Sequence, residues 1–191
     1  MIDNIQTDIK SKGLVMANRI ATNSCIGTEQ DLKLLMHIGA AAARERYTDK
    51  VPKDQLDVYI QDNFSYHALR IEVNSMANQF LVVWANGEVA GYARVTTKGR
   101  RPEMLQGKSV IRIADFHVLE RFNEVEVKKS LFEKCLCLCH AQQITWMSEF
   151  AGNADIAFFE SYGFVTDTEM RDTNEWGIPV VYLIRAQGKD K

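Results

Sequence analysis

In TEQDLKLLMHIGAAAARERY the apolar positions Leu32, Leu35, Met36, Ala40 and Ala43 recur at the three- and four-residue spacing of one helix face. Thr28 and Asp31 stand ahead of them as capping residues, so the pattern predicts a helix over Glu29–Tyr47. VPKDQLDVYIQDNF repeats the spacing with Leu56, Tyr59, Ile60 and Phe64 behind Pro52, a second helix, and SYHALRIEVN reads as a shorter third. The period then drops to two. NQFLVVWA and EVAGYARVTT flank Asn86-Gly87, the strongest short-range signal for an antiparallel hairpin. SVIRIADFHVL alternates as a further strand, with Val110, Arg112, Ala114, Phe116 and Val118 on one side and Ile111, Ile113, Asp115 and His117 on the other. Val127 to Gln143 is expected as a helix, ITWMSEF as a strand, ADIAFFESYG as a short helix closed by Gly163, and IPVVYLIRA as a final strand. LVMANRIA supplies a candidate first strand. The order is strand, helices, three strands, helix, strand, helix, strands, which predicts a mixed α/β sheet in one layered domain spanning 1–191, with 1–13 as a poorly ordered extension.

Composition narrows the classes. A hydrophobic fraction of 46% with 25% charged residues and 3 prolines describes a folded chain with a real core. A net charge of −2 gives no electrostatic case for nucleic acid or an anionic membrane, and the basic spot Lys98–Arg101 reads as a solvated hairpin tip. No apolar run approaches the ~20 residues of a membrane span. Cys25, Cys135, Cys137 and Cys139 have neither zinc spacing nor the scatter of a disulfide framework, so no metal is expected and a reducing cytoplasm is the simplest home.

PKDQLDVYIQDNFS, ALRIEVNS, GEVAGYARV and NADIAFFESYGF, in that order, carry a resemblance. From about Arg19 to Arg185 the chain resembles the GNAT family of acetyl-CoA-dependent N-acyltransferases, and within it the polyamine-acetyltransferase-like branch. The resemblance implies a mostly antiparallel central sheet flanked by helices, whose strands four and five run parallel and splay apart. It implies acetyl-CoA as co-substrate and a small amine as acceptor, and it leaves a homodimer open.

In the family, strand four enters a glycine-rich loop whose bare amides hold the cofactor diphosphate at the next helix N-terminus. Here the matching stretch is RFNEVEVKK. Asn123 falls on the family's Gln or Arg, Glu126 on its central glycine, Lys128 on its final small residue, and Glu124 on a frequent further glycine, with Val125 and Val127 between. A side chain in place of glycine obstructs the backbone's approach, and a carboxylate repels a diphosphate. Glu124 and Glu126 therefore either weaken or abolish acetyl-CoA binding while stabilising the helix start, or Lys128 and Lys129 hold the phosphates in an altered pose. Phe116, His117 and Val118 occupy the strand whose backbone pairs with the pantetheine arm, which depends on strand geometry and not on side chains.

The catalytic positions depart too. Phe159 stands where the family's tyrosine protonates the leaving thiolate, and the nearest phenol is Tyr162. Asn153 survives at the start of the same motif. Arg112 replaces a frequent glutamate of strand four, leaving Asp115 and Glu149 as central-strand carboxylates that serve either as general base or as partners of Arg112. His117 reads as a packed or hydrogen-bonded side chain. Two functions stay open: an acyltransferase with an altered cofactor loop, or a GNAT-fold module that binds a ligand or protein without catalysis.

Overall fold

The computed structural model of the chain describes residues 19–187, except for the side chains of 168–171. One sheet contains β1 (Ile20–Ser24), β2 (Asn78–Ala85), β3 (Glu88–Thr96), β4 (Val110–Val118), β5 (Ile144–Phe150), β6 (Val165–Thr173) and β7 (Pro179–Ala186). Their spatial order is β1-β2-β3-β4-β5-β7-β6. Helices α1 (Glu29–Tyr47), α2 (Lys53–Phe64) and α3 (Tyr66–Val73) cover one face, α4 (Val125–Cys139) and α5 (Ile156–Ser161) the other. β2 shows why two faces are covered: Leu81, Val83 and Ala85 enter the core under α4, while Phe80 and Val82 enter the core under α1. Among the described residues no helix is long and apolar enough to cross a membrane.

Local signals set the ends of these elements. Thr28 and Asp31 form a reciprocal capping box: the Asp31 amide donates to Thr28 Oγ1 at 3.1 Å, and the Thr28 amide donates to Asp31 Oδ2 at 3.2 Å. Asn86 and Gly87 take φ of 53° and 87°, the left-handed pair that a two-residue hairpin turn requires. Gly91 on β3 lies against β4, where a Cβ would meet the His117 carbonyl at 2.4 Å.

β4 and β5 are the one parallel pair in this otherwise antiparallel sheet. They pair only at Val110↔Ile144, Ile111↔Thr145 and Arg112↔Trp146, then separate over the rest of their lengths. β4 is also bulged. Against β3, Arg94 faces Asp115 while Val95 faces Ile113, which leaves Ala114 unmatched. The strict alternation expected for β4 is therefore wrong beyond Ile113. Ile111, Ile113, Phe116 and Val118 all enter the core beneath α4, whereas Arg112, Asp115 and His117 line the cleft on the other side.

Other differences are smaller. α4 starts at Val125 rather than Val127 and ends at Cys139 rather than Gln143. The first strand is Ile20–Ser24; residues 14–18 of the stretch expected to form it, and the extension 1–13, lie outside the described residues. β6, to which no residues had been assigned by pattern, pairs with β7 at the sheet edge.

Candidate active site

The divergence of β4 from β5 opens the sheet, and two cavities meet there. One, of about 240 Å³, lies under α1 and α2 between Tyr47, Tyr59, Arg94, Arg112, Asp115 and Ser148. The other, of about 390 Å³, lies toward α4 and the loop after β5, between Lys50, Val118, Asn123, Lys128, Asn153 and Phe159. Both are lined by Arg46, Phe116, His117, Glu149 and Phe150. These five residues form the wall where the contents of the two cavities could touch.

Charge in that wall is paired across the sheet. Arg46, in the last turn of α1, donates through Nη2 to Glu149 Oε2 at 2.8 Å, with its guanidinium 4.6 Å from the Phe150 ring centroid. Asn153 Nδ2 donates to the same Glu149 oxygen at 2.7 Å. Burial lowers the Arg46 pKa, but Glu149 and Tyr47 together outweigh it and hold the guanidinium charged. One residue earlier on α1, Glu45 Oε2 lies 2.9 Å from His117 Nε2 and also accepts from the Glu120 amide at 3.1 Å. A carboxylate at that distance accepts, so Nε2 carries the proton and Nδ1 the lone pair. Burial pulls the His117 pKa below its ordinary value, Glu45 pushes it back up and Arg46 adds to the lowering, so the ring is neutral at pH 7.

The carboxylates on the central strands do not pair with Arg112. Asp115 Oδ2 lies 2.7 Å from Arg94 Nε, an ion pair whose N–H points off the line between the two atoms, and Glu149 belongs to Arg46. Arg112 instead donates from Nη2 to Ser148 Oγ at 3.1 Å and lies over Trp146, 4.7 Å from the ring centroid.

At the expected diphosphate turn, the structure separates residues that are adjacent in sequence. Asn123 and Lys128 line the larger cavity. Glu126 and Lys129 line a shallow groove beside β1, and Lys129 faces Glu133 at 3.8 Å. Val127 is fully buried beneath the sheet and Val125 is exposed. The amides of Asn123, Glu124, Val127 and Lys128 are already donated to carbonyls of the turn itself, which leaves those of Val125 and Glu126 at the helix start. Lys128 pairs with Asp155 at the end of the loop after β5. Residues able to meet a thioester arm are present: the edge of β4 that faces the gap from Ile113 onward pairs with no strand. A bare-amide cradle for a diphosphate is not.

Phe159 is buried with Phe116, Phe132 and Phe158, where it serves packing. Tyr162 is not brought to the cleft. Its hydroxyl points to Glu133 at 3.4 Å, and its ring packs on Phe132 and Phe158. Arg46, Glu45, Lys50, Arg94 and Ser148 were not singled out by the sequence. Among the described residues no group of three or more His, Cys, Asp or Glu side chains could hold a metal ion.

No family model matches the sequence. Solved structures do match. PaiA N-acetyltransferase from Thermoplasma acidophilum, in complex with coenzyme A, superposes with a TM-score of 0.65 at 12% identity, over 87% of this chain and 99% of that one. The fold is the GNAT fold. An acetyltransferase of the GNAT family from Streptococcus pneumoniae gives 0.61 at 14% identity, over 89% of this chain and 100% of its own. ElaA from Escherichia coli gives 0.59 at 18%, over 87% and 99%. At such identities the likeness is one of fold, and this chain's cleft has to be read from its own side chains.

Proposed function

We propose that this protein is an N-acyltransferase that moves an acyl group from acetyl-CoA to a small amine. The observation that carries the reading is the shared wall: two cavities open on opposite sides of a splayed parallel pair and meet at Arg46, Phe116, His117, Glu149 and Phe150. A donor in the larger cavity and an acceptor in the smaller would be held in contact there, and proximity of that kind supplies much of the rate of an acyl transfer. The coenzyme A complex of the Thermoplasma PaiA structure supports placing the donor in such a fold.

When bound, acetyl-CoA supplies an activated thioester carbonyl and a thiolate leaving group. The unpaired edge of β4 is available to hydrogen-bond an extended arm. His117 is the proton acceptor for the attacking amine, because it is neutral, it lies between the cavities, and Glu45 fixes its tautomer. Glu149 is less suited, since one of its oxygens already accepts from both Arg46 and Asn153; its role is to hold Arg46 in place. Arg46 brings positive charge to the wall where negative charge develops. Among the residues lining the larger cavity there is no tyrosine, so stabilisation of the thiolate rests on cations rather than on a phenol: Arg46, whose charge Glu149 shares, and Lys50.

A second reading has its own observation: with most turn amides spent internally, the larger cavity lacks an amide cradle, as in a ligand-binding module that has lost catalysis. One experiment separates the two. Coenzyme A and acetyl-CoA at a hundred times their Kd would stabilise the folded state by about 2.7 kcal/mol. A rise in melting temperature with CoA release to a panel of amines supports the acyltransferase. No rise at millimolar acetyl-CoA removes it.

A further inference from the structure

The smaller cavity contains three guanidinium groups but supplies close carboxylates to only two of them. Arg46 has Glu149, and Arg94 has Asp115 at 2.7 Å with Glu72 at 3.8 Å. Arg112 has no carboxylate of the described residues within ion-pairing distance; its one hydrogen bond is to the neutral Ser148, and its buried Nε has no partner. Burial lowers its pKa; Asp115 opposes this and the nearby Arg94 adds to it. An arginine nevertheless keeps its proton, so a positive charge with no direct ion-pair partner stands in the cavity wall; Glu175, the third carboxylate lining the cavity, lies beyond ion-pairing distance of it. That charge is held in place. Trp146 lies under the plane of the group and is itself buried, and Ser148 fixes one nitrogen. A planar guanidinium fixed against an aromatic ring is pre-organised for a carboxylate.

Position gives the length of the ligand. Arg112 and Trp146 form the last parallel pair before the strands separate, so this group marks the closed end of the gap. Glu149, in the shared wall, is three strand residues past Trp146 but only one past Ser148, which holds the guanidinium, so the space between that group and the wall is short. A cavity of about 240 Å³ between these points suits a molecule the size of an amino acid. We propose that the acceptor amine also carries a carboxylate, as a free amino acid does, and that Arg112 binds that carboxylate at the closed end of the cleft. This identifies a substrate class within the acyltransferase reading and rests on it.

The test uses the full chain with acetyl-CoA and matched acceptors that differ only in the carboxylate: lysine against cadaverine, leucine against isoamylamine, phenylalanine against phenethylamine. Within at least one pair kcat/KM is expected to favour the carboxylated member by about tenfold to a hundredfold. Arg112→Gln should collapse that ratio toward one, mainly through KM, and Arg112→Lys should restore part of it. Equal or better use of the decarboxylated amines by the native protein would overturn the proposal, as would a proportional loss for both members in Arg112→Gln. If that variant does not fold, Ser148→Ala, which frees the guanidinium, should shift the ratio in the same direction by less. Melting temperature without acetyl-CoA separates the two ideas. Should no amine be acetylated while millimolar amino acid stabilises the native protein and not Arg112→Gln, the carboxylate site stands and the acyltransferase reading falls. Without either effect the carboxylate site falls.

Discussion

Arg46 on α1 and Glu149 on β5 meet at 2.8 Å across 103 residues of chain, and their contact closes the wall between the two cavities. The Glu149 side chain is 4% exposed and that of Arg46 22%. Removing one partner strands a buried charge, whereas removing both does not. Arg46→Met is expected to lower stability by about 3 kcal/mol, and Glu149→Leu added to it should recover a large part of the loss. Urea unfolding of both single variants and the double checks this; additive losses would show that the pair is not coupled.

His117 should make stability depend on pH in a defined direction. Its folded pKa lies below the ordinary 6.5 because of burial, so the folded protein binds fewer protons than the unfolded chain in that window. The stabilisation is fully present above the ordinary value and is lost as pH falls through the lowered one. Urea midpoints between about pH 7 and about pH 5 should therefore fall more steeply in the native protein than in His117→Gln. An equally steep fall in the variant would exclude the imidazole as its source. The same variant should lower kcat by about 10²-fold or more if His117 accepts the amine proton.

Lys128 is the cation nearest the α4 start that faces the larger cavity, and Asp155 engages it. Asp155→Asn should release it toward a phosphate and tighten acetyl-CoA binding by about threefold to fivefold at low ionic strength, with the gain fading in salt. Glu126 lines the groove beside β1, so Glu126→Gln should change affinity by less than about twofold. Titration calorimetry of both at two salt concentrations decides which residue limits binding.

Phe159→Tyr is expected to damage the protein rather than supply an acid. Phe159 lines the larger cavity but is 1% exposed and packed on Phe116, Phe132 and Phe158, so a hydroxyl that turned into this packing would cost about 1 to 3 kcal/mol if unsatisfied. Tyr162→Phe removes only a long surface hydrogen bond to Glu133. Loss of CoA release in Tyr162→Phe would mean that the phenol reaches the cleft after all.

Those two aromatic residues show where sequence is informative and where it stops. The α1 cap and the Asn86-Gly87 turn were legible because each depends on local residue chemistry, whereas the splayed pair was legible only through the resemblance to a known fold. The bulge at Ala114 was missed because a strict alternation was imposed: the core residues step from Ile111 and Ile113 to Phe116 and Val118, a break of one residue that turns Asp115 into the cleft and Phe116 into the core. Glu45 and Arg46 were missed for a different reason. In their own helix they look like ordinary charged residues of a last turn, and only contacts 72 and 103 residues away give them a role. β6 was not assigned because VTDTEMRDT, on the sheet edge, has little apolar alternation to read.

The three-residue seam between β4 and β5 also divides the sheet mechanically. Strands β1 to β4 form one ribbon of long antiparallel ladders, and β5, β7 and β6 form another. Three residue pairs join the two ribbons within the sheet, and α1 bridges them through Glu45 on one side and Arg46 on the other. Within the sheet itself amide exchange is then expected to differ between the two ribbons, which are joined by α1 on one face and on the other by the core beneath α4, where Val83 and Ile113 of one ribbon and Met147 and Leu183 of the other pack together. A ligand lying in the gap would add backbone bonds along the line where the sheet has fewest of its own, so filling the cleft would narrow that difference.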